Sequence, residues 1–191
     1  MRLFVALEIP AAVRDNLATQ IEELRELSAK VADKRPRWVR RENLHVTLKF
    51  IGEVSPAKLE SIRGALSTIR SDGPVDLNFR GLGFFPNEQH PRVLWAGLDA
   101  SANLSPLAEN IDRALETQGI ARERRAFTPH LTLARIEPPG LHEKLRAAIQ
   151  KNGAREFGSF QTREFHLIES KLKPAGAEYT TLASYPFTSE A

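Results

Sequence analysis

Two short motifs of the same pattern, HVTL beginning at His45 and HLTL beginning at His130, carry the residue types best suited to chemistry. In a strand, residues two apart point to the same face, so each histidine shares a face with Thr47 or Thr132. An imidazole can donate or accept a proton at neutral pH, and a threonine hydroxyl can hydrogen-bond a phosphate oxygen. Two such matches arise by chance about one time in forty, so an accidental polar face is the weaker interpretation.

This pair of motifs is suited to in-line displacement at a phosphodiester without a metal. One histidine would activate the nucleophile and the other would protonate the leaving oxygen, each contributing about 10²–10⁴-fold, while the threonines hold the phosphate. The residue types alone do not tell which histidine gives the proton. A metal site formed by the two histidines is the alternative, but neither motif contains a carboxylate and the chain has no cysteine. We therefore predict no metal and no cofactor.

Two basic residues follow the motifs closely enough to be candidates for phosphate binding. Lys49 lies four residues after His45, so regular alternation puts it on the cleft face, where it could meet a phosphate or end in solvent. Arg135 lies five residues after His130, and strict alternation sends it to the opposite face unless a bulge turns it inward. Three aromatic residues could stack a base, although core packing is the better prediction for them: Trp38, Phe84 and Phe85.

The apolar periodicity predicts the elements that must position these residues. Strands are predicted over residues 3–7, 38–39, 44–51, 74–85, 93–98, 129–136, 157–172 and 178–187. Helices are predicted to begin near Pro10, Pro56 and Ser105, with a short one over 141–149. The segments 29–36, 138–140 and 174–176 are predicted to be loops or turns.

The order strand, helix, loop, His-x-Thr strand, helix, strand occurs twice, roughly over residues 2–85 and 92–172. Such a repeat indicates an internal duplication. We expect the two halves to form lobes related by a pseudo-two-fold axis, with both motifs facing one cleft. Because no Gly- or Ser-rich linker separates the halves, residues 1–191 are predicted to form a single domain of two intimately packed lobes.

The bulk composition limits the class of protein. Hydrophobic residues make up 41% of the 191 residues and charged residues 27%, which is typical of a globular chain. A net charge of +3 mildly favours an anionic partner, so a non-catalytic RNA-binding module is another alternative. No apolar run approaches the roughly 20 residues needed to cross a bilayer. We expect a cytoplasmic monomer with no membrane partner.

The sequence resembles the two-histidine phosphoesterase superfamily, and most of all its RNA 2′,3′-cyclic phosphodiesterases, historically called 2′-5′ RNA ligases. The segments that carry the resemblance are RLFVA from Arg2, NLHVTLKFIG from Asn43, GFFP from Gly83, PRVLW from Pro91, PHLTLAR from Pro129, and LIESKL from Leu167 with Gly176 and Tyr179. The resemblance implies a bilobal α+β fold, in which two antiparallel sheets flank a central cleft and the helices lie outside. It also implies hydrolysis of an RNA 2′,3′-cyclic phosphate to a 2′-phosphate end.

The resemblance also implies a role for each site residue. His45 would be the general acid that protonates the departing O3′, and His130 would be the base that activates water. Thr47 and Thr132 would hold the phosphate, and an arginine at the position of Arg135 would belong to the site. Two related activities remain open: the reverse reaction, which is 2′-5′ ligation of RNA, and hydrolysis of small cyclic nucleotides.

Overall fold

The computed structural model describes residues 1–31, 36–137, 141–174 and 176–187. These residues form nine strands and four α-helices. The strands are β1 Arg2–Glu8, β2 Arg37–Trp38, β3 His45–Glu53, β4 Val75–Phe85, β5 Val93–Ala100, β6 His130–Arg135, β7 Glu156–Thr162, β8 Glu164–Lys173 and β9 Gly176–Pro186. The helices are α1 Ala11–Val31, α2 Leu59–Ser67, α3 Leu104–Glu116 and α4 Glu143–Lys151.

All strand pairs are antiparallel and belong to two sheets. The first sheet has the order β3-β1-β8-β9 and the second has the order β2-β6-β5-β4-β7. This architecture confirms the predicted α+β fold with two antiparallel sheets. The motif strands β3 and β6 contact one another, so the two sheets meet along the strands that carry the motifs.

The halves of the sequence do not each build their own sheet. Strand β4 follows the first motif in the chain but pairs with β5 of the second sheet, and β8 returns to pair with β1 of the first. The orders β3-β1-β8-β9 and β6-β5-β4-β7 nevertheless correspond position by position. Each sheet therefore depends on strands from both halves of the chain.

The single strand predicted over 157–172 is wrong, because the chain leaves one sheet at Thr162 and enters the other at Glu164. β7 pairs with β4 in the second sheet, whereas β8 pairs with β1 in the first. At the corner, the Thr162 hydroxyl donates to the Glu164 carbonyl oxygen at 3.1 Å and accepts from its N–H at 3.4 Å. The alternation of residue types continues across such a corner, so the pattern does not reveal a change of sheet.

The main core lies between the sheets and the helices. One face of α1 packs against this core, since Val13, Leu17, Ile21 and Leu24 are buried. Full burial of such a side chain contributes about 1.5–3 kcal/mol to the free energy of folding. A smaller cluster of Phe4, Ala6 and Ile168 lies apart from the main core, with Tyr179 packed against it. Strand β1 is therefore buried on both faces, which accounts for its uninterrupted apolar run.

The connections between elements agree only in part with the predicted loops and turns. Helix α1 continues to Val31, past the predicted start of the loop at 29, and residues 32–35 of that loop lie outside the described residues. The predicted stop at 138–140 and residue 175 of the predicted turn are outside them as well. Ser55 accepts from the Ala57 N–H and begins a 3₁₀ turn before α2. In the part of the chain that the structure describes, no helix has the length and apolar character needed to cross a membrane.

Candidate active site

Both motif strands contain a β-bulge at the same place. In β3 the register with β1 shifts between Thr47 and Lys49, which leaves Leu48 as the extra residue. In β6 the register with β5 shifts between Thr132 and Ala134, which leaves Leu133 as the extra residue. The first six residues of both strands therefore have the same burial pattern, half-buried, buried, half-buried, buried, buried, exposed. The bulge reverses which face the following residues point to.

The bulge decides the positions of the two candidate basic residues. Lys49 follows the extra residue and is buried, and it lines the cavity that also contains Thr47 and His130. Arg135, one residue further along its own motif strand, is exposed on β6. Its charge acts on the phenol of Tyr179, which lies against the first motif histidine. The bulge that would turn Arg135 inward is therefore present.

Both motif histidines are held in the same orientation by the backbone two residues before them. Nδ1 of His45 is 2.7 Å from the Asn43 carbonyl oxygen, and Nδ1 of His130 is 2.7 Å from the Thr128 carbonyl oxygen. A carbonyl oxygen only accepts, so each Nδ1 carries a hydrogen and each Nε2 is left for proton transfer. Nε2 of His45 lies 3.0 Å from Oγ1 of Thr47, which confirms that this histidine and threonine share a face.

Aromatic rings form the walls around both imidazoles. The ring of His45 lies 4.8 Å from that of Phe4 and meets Tyr179 edge-on at 5.4 Å. The ring of His130 meets Phe85 edge-on at 4.9 Å. Phe85 therefore lies at the site, whereas the core-packing prediction for its neighbour Phe84 is confirmed by 7% exposure. These apolar walls reduce the water around the imidazoles.

The second motif has a closely packed neighbour in Trp95. This residue pairs with Thr132 across β5 and β6, and its ring centroid lies 5.3 Å from that of Phe85. A Cβ added to Gly83 on the adjacent strand would lie 2.3 Å from the indole ring. Glycine is thus required there, because any side chain would displace the indole beside the motif strand. Trp38, the third aromatic candidate, is half-buried on β2 opposite Ala134.

Burial lowers the pKa of the His45 imidazole below its usual value near 6.5. The hydrogen bond to the Asn43 carbonyl opposes this shift, and the charge of His130 adds to it. Repulsion between two protonated imidazoles in one cleft is the physical reason for the last effect. The two histidines are close enough to influence each other, and the site favours a state with fewer than two protons.

Lys49 takes part in a buried ion pair. Its Nζ lies 2.6 Å from Oδ1 of Asp112 on α3 and 2.7 Å from the Ala121 carbonyl oxygen, and its side chain is 1% exposed. Arg122 and the Glu123 N–H also donate to the Asp112 carboxylate. The expectation of a solvated lysine is therefore wrong. This cluster ties the strand of the first motif to the loop before the second.

The phenol of Tyr179 connects the site to a group of arginines. Burial raises the pKa of Tyr179, and the charges of Arg135, Arg2 and Arg40 oppose that shift. The three guanidinium groups come from β6, β1 and the turn before β3, so both sheets supply positive charge at this edge of the cleft. Sequence reasoning missed Tyr179 as a neighbour of His45, since the two are separated by most of the chain.

A cavity of ≈ 560 Å³ opens beside the motifs, with Thr47 and His130 in its lining. The loop 122–128 forms its far side. Within residues 1–31, 36–137, 141–174 and 176–187, no group of three or more His, Cys, Asp or Glu side chains is arranged to hold a metal ion. The arrangement combines two imidazoles held at Nδ1 by backbone carbonyls, two hydroxyls and nearby positive charge, which is suited to proton transfer around an anionic phosphorus centre.

Comparison with known proteins relates this geometry to a family. The family model described as the 2'-5' RNA ligase superfamily matches residues 13–174. A protein from Methanothermobacter thermautotrophicus named RNA 2',3'-cyclic phosphodiesterase is 34% identical over 183 residues, which cover 95% of this chain and 96% of the relative. A protein of the same name from Archaeoglobus fulgidus is 34% identical and covers 95% of this chain and 98% of its own length.

Solved structures show the same architecture. The crystal structure of TT0787 from Thermus thermophilus matches with a TM-score of 0.78 at 30% identity, over 98% of both chains. The structure of E. coli LigT complexed with 3'-AMP matches with a TM-score of 0.74 at 26% identity, again over 98% of both chains. The resemblance seen in the motifs is confirmed, and the chain belongs to the 2'-5' RNA ligase superfamily.

Proposed function

We propose that this protein hydrolyses RNA 2′,3′-cyclic phosphate ends to 2′-phosphate ends by metal-independent acid–base catalysis. The observation that carries the proposal is the matched pair of imidazoles, each held at Nδ1 by a backbone carbonyl so that Nε2 is the nitrogen left for proton transfer. A threonine hydroxyl accompanies each of them on its strand. The relatives that cover nearly the whole chain bear the name RNA 2',3'-cyclic phosphodiesterase, which supports the same substrate class.

The chemistry balances with the residues present. Nε2 of His130 accepts a proton from water as the water oxygen bonds to phosphorus, and Nε2 of His45 gives its proton to O3′ as the P–O3′ bond breaks. The products are a 2′-phosphate monoester and a free 3′-hydroxyl. Thr47 and Thr132 donate hydrogen bonds to the non-bridging oxygens, while Arg135 offsets the charge that develops there. The direction of proton transfer rests on the family resemblance.

The test is hydrolysis of a short oligoribonucleotide that ends in a 2′,3′-cyclic phosphate. We expect a 2′-phosphate product, and a loss of kcat of about 10²–10⁴-fold in His45→Ala and in His130→Ala. His90→Ala is the matched control, because His90 is an exposed residue outside both motifs. Turnover that persists near the wild-type rate in both active-site variants would contradict the proposal, as would a 3′-phosphate product.

Metal independence is tested with a chelator. We expect full activity after prolonged treatment with EDTA and no gain from added zinc. Loss of activity that zinc restores would show that the two imidazoles hold a metal, and the acid–base mechanism would then be wrong. The same assay is applied to His45→Ala and His130→Ala. If each histidine carries a proton and binds no metal, added zinc should restore no activity to either variant.

The reverse reaction, 2′-5′ ligation, is a second candidate because the matching family model is named for it. By microscopic reversibility the same two histidines serve both directions. Paired RNA halves, one with a cyclic phosphate end and one with a free 5′-hydroxyl, distinguish them. We expect hydrolysis to dominate, since water greatly exceeds the concentration of any 5′-hydroxyl.

A further inference from the structure

The turn that orients His45 is anchored to a distant strand by a buried side chain. Asn43 is the last residue of a 3₁₀ turn and is 7% exposed. Its side-chain Nδ2 donates to the Ala177 carbonyl oxygen at 2.8 Å, while its own backbone carbonyl accepts from Nδ1 of His45 at 2.7 Å. One residue therefore joins the first motif histidine to strand β9, which lies near the other end of the chain.

The turn has few bonds of its own to fix its position. A 3₁₀ turn has poorer hydrogen-bond geometry than an α-helix, and this one spans three residues, Arg41–Asn43. The Asn43 N–H donates to the Arg40 carbonyl oxygen at 2.9 Å, and the Leu44 N–H donates to the Arg41 carbonyl oxygen at 3.3 Å. Two such bonds leave the Asn43 carbonyl able to shift unless a neighbouring element holds the turn.

Strand β9 provides that hold. β3 and β9 are the two edges of the first sheet, which has the order β3-β1-β8-β9. The Ala177 carbonyl oxygen accepts from both Asn43 and Arg40, so the turn before one edge strand is bonded to the other edge strand. Tyr179, two residues further along β9, meets the imidazole of His45 edge-on at 5.4 Å. The same strand thus contacts His45 directly through a ring and indirectly through Asn43.

The second motif has the orienting carbonyl without a buried side chain beside it. Thr128 occupies the corresponding place two residues before His130, and its carbonyl oxygen lies 2.7 Å from Nδ1. Thr128 is exposed in the loop before β6, whereas Asn43 is buried. A proton donor must meet a leaving oxygen that the cyclic phosphate holds in place, but a proton acceptor serves a water molecule that can adjust. A stricter hold on His45 than on His130 suits these two roles.

We propose that Asn43 is a positioning residue for His45, because its amide anchors the turn to β9 and its backbone carbonyl then directs Nε2 of the imidazole toward the leaving oxygen. This inference rests on the proposed function, since it concerns His45 as the proton donor. Asn43 acts through the imidazole and contacts no reacting atom. Loss of the amide frees the carbonyl to move, and misplacement of a catalytic group by about 1 Å can cost about 10²-fold in rate.

The titration of His45 reports the hold of this carbonyl. Burial lowers the pKa of His45, and the hydrogen bond to the Asn43 carbonyl opposes that shift. An apolar residue in place of Asn43 removes none of the titratable or charged groups around the imidazole, which are Glu8 beside it on β1, Tyr179 on β9, His130 and Arg135 on β6, and Arg2 and Arg40 near the phenol. Release of the carbonyl should therefore lower the pKa of His45 further.

The test is hydrolysis of the oligoribonucleotide with a 2′,3′-cyclic phosphate end by Asn43→Ala and by Asn43→Leu, which keeps the size of the side chain without its donor. We expect kcat to fall by about 10–100-fold in both variants, with KM within about twofold of the wild-type value. Asn16→Ala removes a bond of the same kind, from Nδ2 to the Phe157 carbonyl oxygen at 2.9 Å, which links α1 to β7. This control should change kcat by less than about twofold, because neither element carries a motif residue.

NMR spectra of the imidazole nitrogens separate positioning from a general loss of stability. In the free wild-type protein, neutral His45 should carry its hydrogen on Nδ1. In the Asn43 variants we expect a mixture of the two tautomers and a lower pKa for His45, while His130 keeps its tautomer. Asn16→Ala should leave both histidines as in the wild type. All proteins are measured at a temperature below their thermal unfolding.

A kcat within about twofold of the wild-type value in both Asn43 variants would overturn the inference. A fall in kcat without any change in the tautomer and pKa of His45 would do the same, and so would an equal fall in Asn16→Ala. If the wild-type protein does not hydrolyse the cyclic phosphate, the proposed function fails. The NMR measurement needs no substrate, so it still decides whether Asn43 holds His45.

Discussion

The Lys49–Asp112 ion pair can be broken by replacing either residue. We expect both replacements to lower the free energy of unfolding, but by different amounts. Lys49 is 1% exposed and Asp112 is 11% exposed, so both charges are largely removed from water. The two partners differ in what remains when the other is removed. Asp112 keeps Arg122 at 3.1 Å and the Glu123 N–H at 3.2 Å. Lys49 keeps the Ala121 carbonyl and the half-exposed Glu123 carboxylate at 3.7 Å.

The magnitudes follow from these residual partners. Asp112→Ala leaves a buried ammonium group without its main counter-charge, which costs about 3–5 kcal/mol of unfolding free energy. Lys49→Met leaves a carboxylate that is still hydrogen-bonded by a guanidinium group, so we expect a cost of about 1–3 kcal/mol. The double variant Lys49→Met/Asp112→Ala removes both charges and should cost less than the Asp112 variant alone.

The assay is urea unfolding of the four proteins, with the coupling energy taken from the double-mutant cycle. Arg25→Ala, which removes an exposed pair with Glu22, is the control and should cost less than about 1 kcal/mol. A smaller cost for Asp112→Ala than for Lys49→Met would refute the reasoning, and so would simple additivity in the double variant.

The same pair predicts a dependence of stability on pH. Burial alone would raise the pKa of Asp112, but hydrogen bonds from Lys49, Arg122 and the Glu123 N–H outweigh it and hold that pKa below its usual value. The unfolded chain therefore takes up a proton at higher pH than the folded protein does. The ionised Asp112 carboxylate therefore stabilises the folded protein fully above the pKa of the unfolded chain, about pH 4. This stabilisation is lost as the pH falls through the lower pKa of the folded protein.

Three further predictions concern the site itself. Gly83→Ala should lower the free energy of unfolding by more than about 1 kcal/mol in thermal unfolding, since the new Cβ would clash with the Trp95 indole. The control Gly64→Ala should be neutral or stabilising, because a Cβ at Gly64 would have no atom within 4 Å. His45 should titrate below pH 6.5 in NMR spectra of the free protein and shift upward when a 2′-nucleotide binds, and a free-protein value at or above 6.5 would be contrary to the burial argument. Arg135→Gln should raise the pKa of Tyr179 further in a spectroscopic titration, because a positive charge that stabilises the phenolate is removed; an unchanged pKa would place the guanidinium elsewhere.

Much of the site could be predicted from the sequence because its main determinants are local. Strand alternation explains why His45 and Thr47 share a face, and the Nε2 to Oγ1 distance of 3.0 Å agrees with it. The repeated order of elements predicted two matched halves, and the family resemblance implied two antiparallel sheets. The backbone carbonyls that orient the histidines are also local, two residues before each ring, but no residue type marks them.

Pairing between distant segments could not be predicted in the same way. The change of sheet between Thr162 and Glu164 depends on which strand edge is free, and periodicity carries no information about partners. Tyr179 and Asp112 reach the first motif from β9 and α3 for the same reason. A buried aspartate with three donors has no signature in a single sequence, since most aspartates on helices are exposed.

The bulge shows how one backbone feature decides several functions together. Alternation alone assigned Lys49 to the cleft and Arg135 to the opposite face, and an extra residue at Leu48 and Leu133 interrupts that alternation just before both residues. Because the bulge occurs in both motif strands, the backbones match while the side chains after it differ. The first strand continues with a buried cation and an exposed ring, Lys49 and Phe50, where the second has a small residue and an exposed cation.

This difference gives an asymmetric site on a pseudo-symmetric backbone. A reaction in which one imidazole gives a proton and the other takes one requires two unequal environments, and identical halves would provide equal ones. Burial beside Phe4 and Tyr179 lowers the pKa of His45, which gives this imidazole a drier environment at the cleft. The charge of Arg135 after the second motif and the exposed ring of Phe50 after the first make the two sides of the cleft chemically different as well.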